Sequence, residues 1–424
     1  MGYKIKDGIG DSIAVPQIVF AKLSQLEDDW LRVALFVLST GNTEPSQISR
    51  ELRLKSTERA REALVFWKGA GLLCDDSSSA ACLDNVNMAS EPSPRLTTHE
   101  VTAAAQTDSE ALYPRNALNA LASTGLLGLL SSKDVGGLGG GLREAVQVVE
   151  RIAQDCPCTA MVLTMHYCGV ALIEPFADDE LRRAIAEGRH ITTLAVSEAG
   201  SRSHIWAPTG TAALQGDGSA DTVLLNAHKS MITSAGQADS YVWISRATQG
   251  DGNTLWLVDS RLPGLTVPNA FDGMGLRGNA SSPIVARDVA LPTRCRLGAD
   301  GQGEAVKGQY LMPYFTALIA STSVGLMQGV LRRALGHVAG TRFAASGSAL
   351  ADLPTIRAYL AKAQLKSDQA QLLRDDAVNA VLTQRSDQRT RLLQCKAAAA
   401  EAALEVTDTA MRVCGGAAFR KDLG

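Results

Sequence analysis

The chain has 424 residues, 46% of them hydrophobic and 20% charged, which is the composition of an ordinary globular protein with roughly three or four core units. Its net charge of −3 gives no electrostatic reason to expect nucleic acid or an anionic membrane as the main partner. No apolar run reaches the ~18–20 residues of a membrane span, and the first residues lack the apolar core of a signal peptide. We therefore expect a cytoplasmic protein without a membrane partner.

The first 74 residues carry three short helical patterns, at about residues 30–38, 45–52 and 56–71, followed by Gly71-Leu72-Leu73. This outline is typical of a winged helix, and the stretch resembles the N-terminal domain of DnaD-type primosomal proteins. The resemblance implies DNA or protein binding in replication. However, residues 1–74 carry 10 Lys and Arg against 9 Asp and Glu, so they lack the basic surface that phosphate binding requires. A small three-helix module that binds protein is the alternative interpretation.

The remaining sequence predicts a linker and three further domains in a multidomain α+β chain. Residues 75–96 are rich in Ser, Asp and Pro and predict the linker. Residues 97–188 predict an all-α domain, and residues 189–298 predict a small middle β-barrel domain, because short β-type runs alternate there with Gly, Asn and Asp. Residues 299–424 are rich in Ala and Leu and predict a C-terminal four-helix bundle.

Within these domains the sequence predicts individual elements. Helices are expected from about Leu142 to Ala153 and from about Ala160 to Leu172. Strands are expected at 222–226, 241–245 and 255–258.

The middle region carries the most specific motifs. Val196-Ser197-Glu198-Ala199-Gly200-Ser201 and Lys229-Ser230-Met231-Ile232-Thr233 match, with changes, the TEP-x-x-GSD and K-x-aromatic-ITN patterns of acyl-CoA dehydrogenases. Leu276-Arg277-Gly278-Asn279 follows at the expected distance. The resemblance to this family covers about residues 97–424. It implies an FAD cofactor, α,β-dehydrogenation of an acyl-CoA thioester, and an electron acceptor protein or reductase as partner.

An isoalloxazine ring needs backbone N–H groups and small hydroxyls at its N1–O2 and N5 edges, since these positions gain charge or a proton on reduction. Strand-end backbone with Ser197 and Thr233 can supply them. Met231 lies where the family has an aromatic residue that shields the flavin. The resemblance assigns cofactor binding to Leu194, Val196, Ser197, Ser203, Met231, Ile232 and Thr233.

Two features near the C-terminus imply contact with the flavin of a neighbouring subunit. Gly415 and Gly416 follow a long helical pattern and match the family's flavin-contacting turn, although such a pair is also a common helix stop. Arg342 lies close to the position of a family arginine that reaches across to the partner. The resemblance therefore implies a homodimer or homotetramer.

Substrate contacts are expected from Ser203, His204 and His166. His204 lies where the family has an aspartate, and a histidine beside Arg202 can bind an anionic or phenolic group. His166 lies on an apolar helical pattern, where a histidine of the core is the alternative.

The catalytic base is not identified by the sequence. Dehydrogenation needs a carboxylate to remove the α-proton, and the family keeps this glutamate either beyond the Cys-Gly-Gly turn or on the first bundle helix. The helix position corresponds to Phe315, which is not a carboxylate. The chain is expected to lack the other position, to be C-terminally truncated, and to be a poor dehydrogenase. Glu198 and Glu304 are the first alternative candidates for the base.

Two alternatives follow from this missing base. The same fold hosts two-component flavin-dependent monooxygenases, which abstract no α-proton. The chain can also be an inactive fusion whose N-terminal module binds DNA or protein. No metal is expected, because Cys156-Pro157-Cys158 has no second ligand pair at the spacing of a zinc site.

Overall fold

The computed structural model describes residues 3–4, 33–34, 36–37, 43–69, 74–75, 104, 106–201, 204–205, 207–215 and 221–420. The chain forms two compact units, Met1–Thr97 and Thr98–Gly424. The predicted linker, apart from Asp75, lies outside the described residues.

In its described residues, the first unit contains short helices and a pair of strands. Strand β1 (Tyr3–Lys4) pairs antiparallel with β2 (Cys74–Asp75). Helix α1 (Pro45–Glu51) begins at a proline, as predicted, and α2 covers Thr57–Gly69. The described helical residues of this unit include a set of buried apolar side chains. These are Val33, Ala34, Val37, Ile48, Ala60, Ala63 and Leu64.

The second unit begins with a helical domain. Its helices are α3 (Arg115–Ser123), α4 (Leu142–Ala153), α5 (Pro157–Ile173) and α6 (Asp179–Ala186). Helix α4 has the predicted bounds, because its buried residues recur every three or four positions. Helix α5 begins three residues earlier than predicted, since Pro157 occupies its first turn.

The middle domain is a β domain, as predicted, and its strands form two sheets. The strands are β3 (Thr192–Ala195), β4 (Thr211–Leu214), β5 (Thr222–Ile232), β6 (Ser240–Arg246), β7 (Asn253–Asp259), β8 (Leu265–Thr266) and β9 (Ser282–Pro292). One sheet has the order β3-β6-β7, with β3 and β6 parallel, and the other has the order β4-β5-β9-β8. An isolated bridge between Glu198 and Lys229 joins the segment after β3 to β5.

Three long helices follow in the described part of the C-terminal region. A short helix α7 (Gly303–Val306) continues through a π-helical turn (Lys307–Leu311) into α8 (Met312–Gly340). Helices α9 (Pro354–Leu382) and α10 (Gln388–Cys414) complete this part. The stretch Gly303–Gly340 is long and apolar enough to cross a membrane, but 61% of its most apolar window is buried inside the protein. One hydrophobic core includes residues of both helical regions and both middle sheets.

Candidate functional site

Two of the predicted cofactor segments lie side by side at the ends of β3 and β5. The Thr193 hydroxyl donates to the Thr233 carbonyl over 2.9 Å. The Ser230 backbone N–H donates to the Ser197 carbonyl over 3.0 Å. The structure therefore brings Ser197 next to the segment that carries Met231 and Thr233, as the motif order predicts.

The backbone around Thr233 turns sharply. Met231 has φ = 54° and Ser234 has φ = 60°, so two non-glycine residues in the left-handed region bracket Ile232 and Thr233. Such residues cost about 1–3 kcal/mol each and cluster at ligand clamps and active sites. Ile232 is buried, whereas Met231 is 65% exposed, so the turn presents the methionine at the surface while it anchors its neighbour in the core.

Hydroxyl groups surround this turn. The hydroxyls of Thr233 and Ser281 lie 3.2 Å apart, and either can donate. The Tyr113 hydroxyl donates to Ser234 Oγ over 2.9 Å, and burial raises the pKa of Tyr113, so this phenol stays protonated at neutral pH. The turn therefore offers neutral hydrogen-bonding groups of the kind that a flavin ring edge requires.

A buried ion pair also joins the two segments. Lys229 Nζ donates to Glu198 Oε1 and to the Ile244 carbonyl, both over 2.6 Å, and lies 4.8 Å from the centroid of the Trp243 ring. The side chains of Glu198 and Lys229 are fully buried. The Glu198 carboxylate also accepts hydrogen bonds from the Thr209 hydroxyl, over 2.6 Å, and from the Thr209 backbone N–H.

Both members of this pair are charged at neutral pH. Burial lowers the pKa of Lys229 to about 8, against the attraction of Glu198. Burial also opposes ionisation of Glu198, but Lys229 and Thr209 outweigh it and hold the pKa of Glu198 below its ordinary value.

The predicted base candidates are engaged elsewhere. Glu198 is saturated by the partners just described. Glu304 accepts a hydrogen bond from Asn253 Nδ2 over 2.9 Å and pairs with Lys307. Phe315 lies partly buried near the start of α8.

The prediction that His166 contacts substrate is corrected by the structure. His166 is fully buried on α5. Its Nε2 lies 3.0 Å from the Leu127 carbonyl, and its Nδ1 accepts the Thr192 backbone N–H over 3.2 Å. Burial lowers the pKa of His166 to about 4. Both ring nitrogens therefore have a structural role. They form hydrogen bonds with buried backbone groups that water cannot reach.

The remaining predicted residues lie in several places. Leu194 and Val196 are buried on and just after β3. His204 lies in the described residues, with its Nδ1 3.0 Å from the Ser201 carbonyl, whereas Ser203 lies outside them.

The predicted contacts to a neighbouring subunit lie on the C-terminal helical region. Arg342, just after α8, donates to the Gly347 carbonyl over 3.0 Å. Gly415 lies directly after α10 and has φ = 58°. A Cβ atom placed on Gly415 or on Gly416 would have no described neighbour within 4 Å. The glycine turn is therefore open to a close approach from outside the chain.

Comparison with known proteins is consistent with this arrangement. Domain models of the acyl-CoA dehydrogenase family match residues 88–188 (N-terminal domain), 193–289 (middle domain) and 310–424 (C-terminal domain). The human mitochondrial short-chain specific acyl-CoA dehydrogenase is 29% identical over 330 residues, which cover 74% of this chain and 77% of that protein.

Two solved structures share the fold. Butyryl-CoA dehydrogenase from Megasphaera elsdenii has a TM-score of 0.69 at 21% identity and covers 77% of this chain and 91% of its own. An FAD complex of PigA has a TM-score of 0.67 at 21% identity and covers 78% of this chain and 90% of its own.

The chain has a β domain between helical regions, as these relatives do. This places it in the class of FAD-dependent oxidoreductases that act on CH–CH groups. The chain belongs to the acyl-CoA dehydrogenase family, whose three domain models match it in order. Its strand-end hydroxyls and left-handed turn fit the cofactor. FAD, when bound, accepts the hydride in such a reaction.

The family motifs do not identify every residue of the site, although the sequence pattern marks one further residue. Lys229 follows Val223, Leu225 and Ala227 in the inward register of β5, so strand alternation alone marks it as a buried cation. Tyr113 gave no comparable signal, because its partner Ser234 is 121 residues away in sequence.

Proposed function

We propose that the turn Met231–Ser234 and the adjacent Ser197 form the flavin-ring site, and that the substrate is an acyl-CoA thioester. The observation that carries this proposal is the pair of hydrogen bonds that joins the two segments, Thr193 to Thr233 and Ser230 to Ser197. Within this site the Thr233 hydroxyl is available to the ring edge, since its 3.2 Å contact with Ser281 can reverse direction. Met231 covers the exposed side.

Replacement of Thr233 by valine tests the cofactor site. The variant keeps the shape of the side chain and removes the hydroxyl, which is worth roughly 3- to 10-fold in affinity. We expect the FAD dissociation constant of the apoprotein, measured by quenching of flavin fluorescence, to rise by that factor. Thr233→Ser should bind like the parent, and the exposed Thr266→Val serves as control. Equal affinity of the Val and Ser variants would contradict the proposed role.

We propose further that Phe315 occupies the position of a catalytic base and slows dehydrogenation by this chain. The supporting observation is that Glu198 and Glu304 already have ionic partners. Phe315→Glu should therefore raise the rate at which an acyl-CoA reduces the bound flavin, with a gain of ~10²–10⁴-fold if the new carboxylate acts as the base. Phe315→Gln, which cannot accept the proton, is the matched control.

The aromatic residue at position 315 also favours one second candidate, a two-component flavin-dependent monooxygenase. That activity needs a supplied reductase and oxygen and no α-proton acceptor. Oxygenated product from an aromatic or amine substrate, with an unreactive acyl-CoA panel, would support it. Reduction of the flavin by an acyl-CoA would exclude it as the main activity.

We propose that the protein is a homodimer or homotetramer and that Arg342 and the Gly415–Gly416 turn contact the partner's flavin. Helices α9 and α10 support self-association, because they expose large apolar side chains, among them Leu365, Leu372, Leu393 and Leu404. Light scattering of the purified protein tests it. A monomer that binds FAD with full affinity would contradict the proposal.

We propose that residues 1–74 form a winged-helix-like module that binds protein rather than duplex DNA, in a cytoplasmic enzyme. The two described helices and the antiparallel strand pair support the fold, and the near-neutral charge supports the choice of partner. A gel-shift assay of the full chain at moderate salt should show weak binding or none. Submicromolar binding with a steep salt dependence would overturn the choice.

A further inference from the structure

Two lysines are fully buried among the residues that the structure describes, Lys229 and Lys307. Lys229 is paired with an equally buried carboxylate. Lys307 has a different environment, because it begins the π-helical turn Lys307–Leu311 between α7 and α8. Turns of this kind are rare and are frequent at functional sites. A buried cation at such a turn requires an explanation, since burial of a charge is costly.

The contacts of Lys307 connect the C-terminal helical region to the middle domain. Its Nζ donates to the Ile205 carbonyl over 2.7 Å. It also pairs with Glu304, whose side chain is 57% exposed, one turn earlier. Burial lowers the pKa of Lys307, and Glu304 opposes this shift. Glu304 therefore supplies the counter-charge from the surface, while the same ammonium donates a part-buried hydrogen bond to Ile205.

Ile205 adjoins the predicted substrate contact His204. The His204 backbone N–H donates to the Ser201 carbonyl over 2.9 Å, which anchors the segment on its N-terminal side. On the C-terminal side, Glu198 holds Thr209 and Gly210. Between these two anchors, the hydrogen bond to the Ile205 carbonyl comes from Lys307, a residue 102 positions away.

We propose that Lys307 is a positioning residue that fixes the His204–Ile205 segment and thereby sets the affinity of the site for its acyl substrate. The proposal rests on the proposed function, because it takes the substrate to be an acyl-CoA thioester and His204 to be one of its predicted contacts. Lys307 acts through the backbone at Ile205 and takes no part in the chemistry.

Lys307→Met tests this role, since methionine keeps much of the buried stem and removes the donor. Hydrogen exchange of the peptide that contains His204 and Ile205 should accelerate roughly ten- to hundredfold, the worth of a hydrogen bond from a charged donor. KM for an acyl-CoA should rise about tenfold on the same grounds, with kcat nearly unchanged. The melting temperature should change by only a few degrees, because removal of a costly buried charge offsets the loss of one hydrogen bond.

Two variants separate positioning from general stability. Glu304→Gln removes the counter-charge but keeps the donor to Ile205. Exchange at His204–Ile205 should therefore not accelerate relative to the rest of the chain, although the melting temperature falls. Lys362→Met removes an exposed lysine of α9 and should change none of these quantities. Parental exchange at His204–Ile205 in Lys307→Met would overturn the proposal, as would faster exchange throughout the chain with a lower melting temperature. Failure of the parent to use any acyl-CoA would refute the proposed substrate, while the exchange measurement would still test the anchor.

Discussion

Replacement of Glu198 by glutamine should destabilise the protein strongly. The change leaves the Lys229 ammonium buried without its counter-charge, since the side chains of both residues are fully inaccessible. Removal of one partner from a buried ion pair typically costs about 3–5 kcal/mol. For a cooperative unit such as Thr98–Gly424, with an unfolding entropy of roughly 0.7 kcal/mol/K, this corresponds to a melting temperature lower by roughly 4–7 °C.

Differential scanning calorimetry at saturating FAD measures this effect. The double variant Glu198→Leu, Lys229→Met removes both charges and should recover most of the loss, because apolar replacement of a whole buried pair is often neutral or stabilising. The exposed Glu401→Gln is the control. The reasoning is refuted if Glu198→Gln melts within about 1 °C of the parent, a shift far below that expected for a stranded buried charge.

Two further predictions concern buried groups outside this pair. Glu150→Gln should cost about 1.5–3 kcal/mol in urea unfolding, because Arg374, which is 2% exposed, loses its ion-pair partner on α4 and keeps only Asp375. His166 binds a proton more tightly in the unfolded chain, since burial lowers its folded pKa from 6.5 to about 4. The parent should therefore lose up to about 3 kcal/mol of stability as the pH falls from 6.5 to 4, and His166→Gln should lack that part of the slope. An unchanged slope in His166→Gln would refute this assignment.

Periodicity predicted helix α4 at its observed bounds because the apolar spacing on one helix face is a local property. The predicted β-type run in this region ended at Asn226. The strand continues to Ile232, because pairing with β9 satisfies its backbone and Glu198 neutralises Lys229.

The motifs predicted that Ser197 and Thr233 belong to one site, which the strand ends bring together. They could not predict that His166 turns both ring nitrogens to the backbone. They also gave no sign of Lys307, whose contact to Ile205 depends on how α8 is placed against the middle domain. Contacts between residues so distant in sequence are set by tertiary packing and leave no local pattern.

Anaerobic reduction of the bound FAD by a panel of acyl-CoA thioesters tests the central claim most directly. The account predicts that at least one thioester bleaches the flavin absorbance and forms the matching enoyl-CoA. It predicts a slow reaction in the parent, because Phe315 supplies no carboxylate, and a faster one in Phe315→Glu. A protein that binds FAD stoichiometrically but stays oxidised with every thioester, in parent and variant alike, would contradict the account.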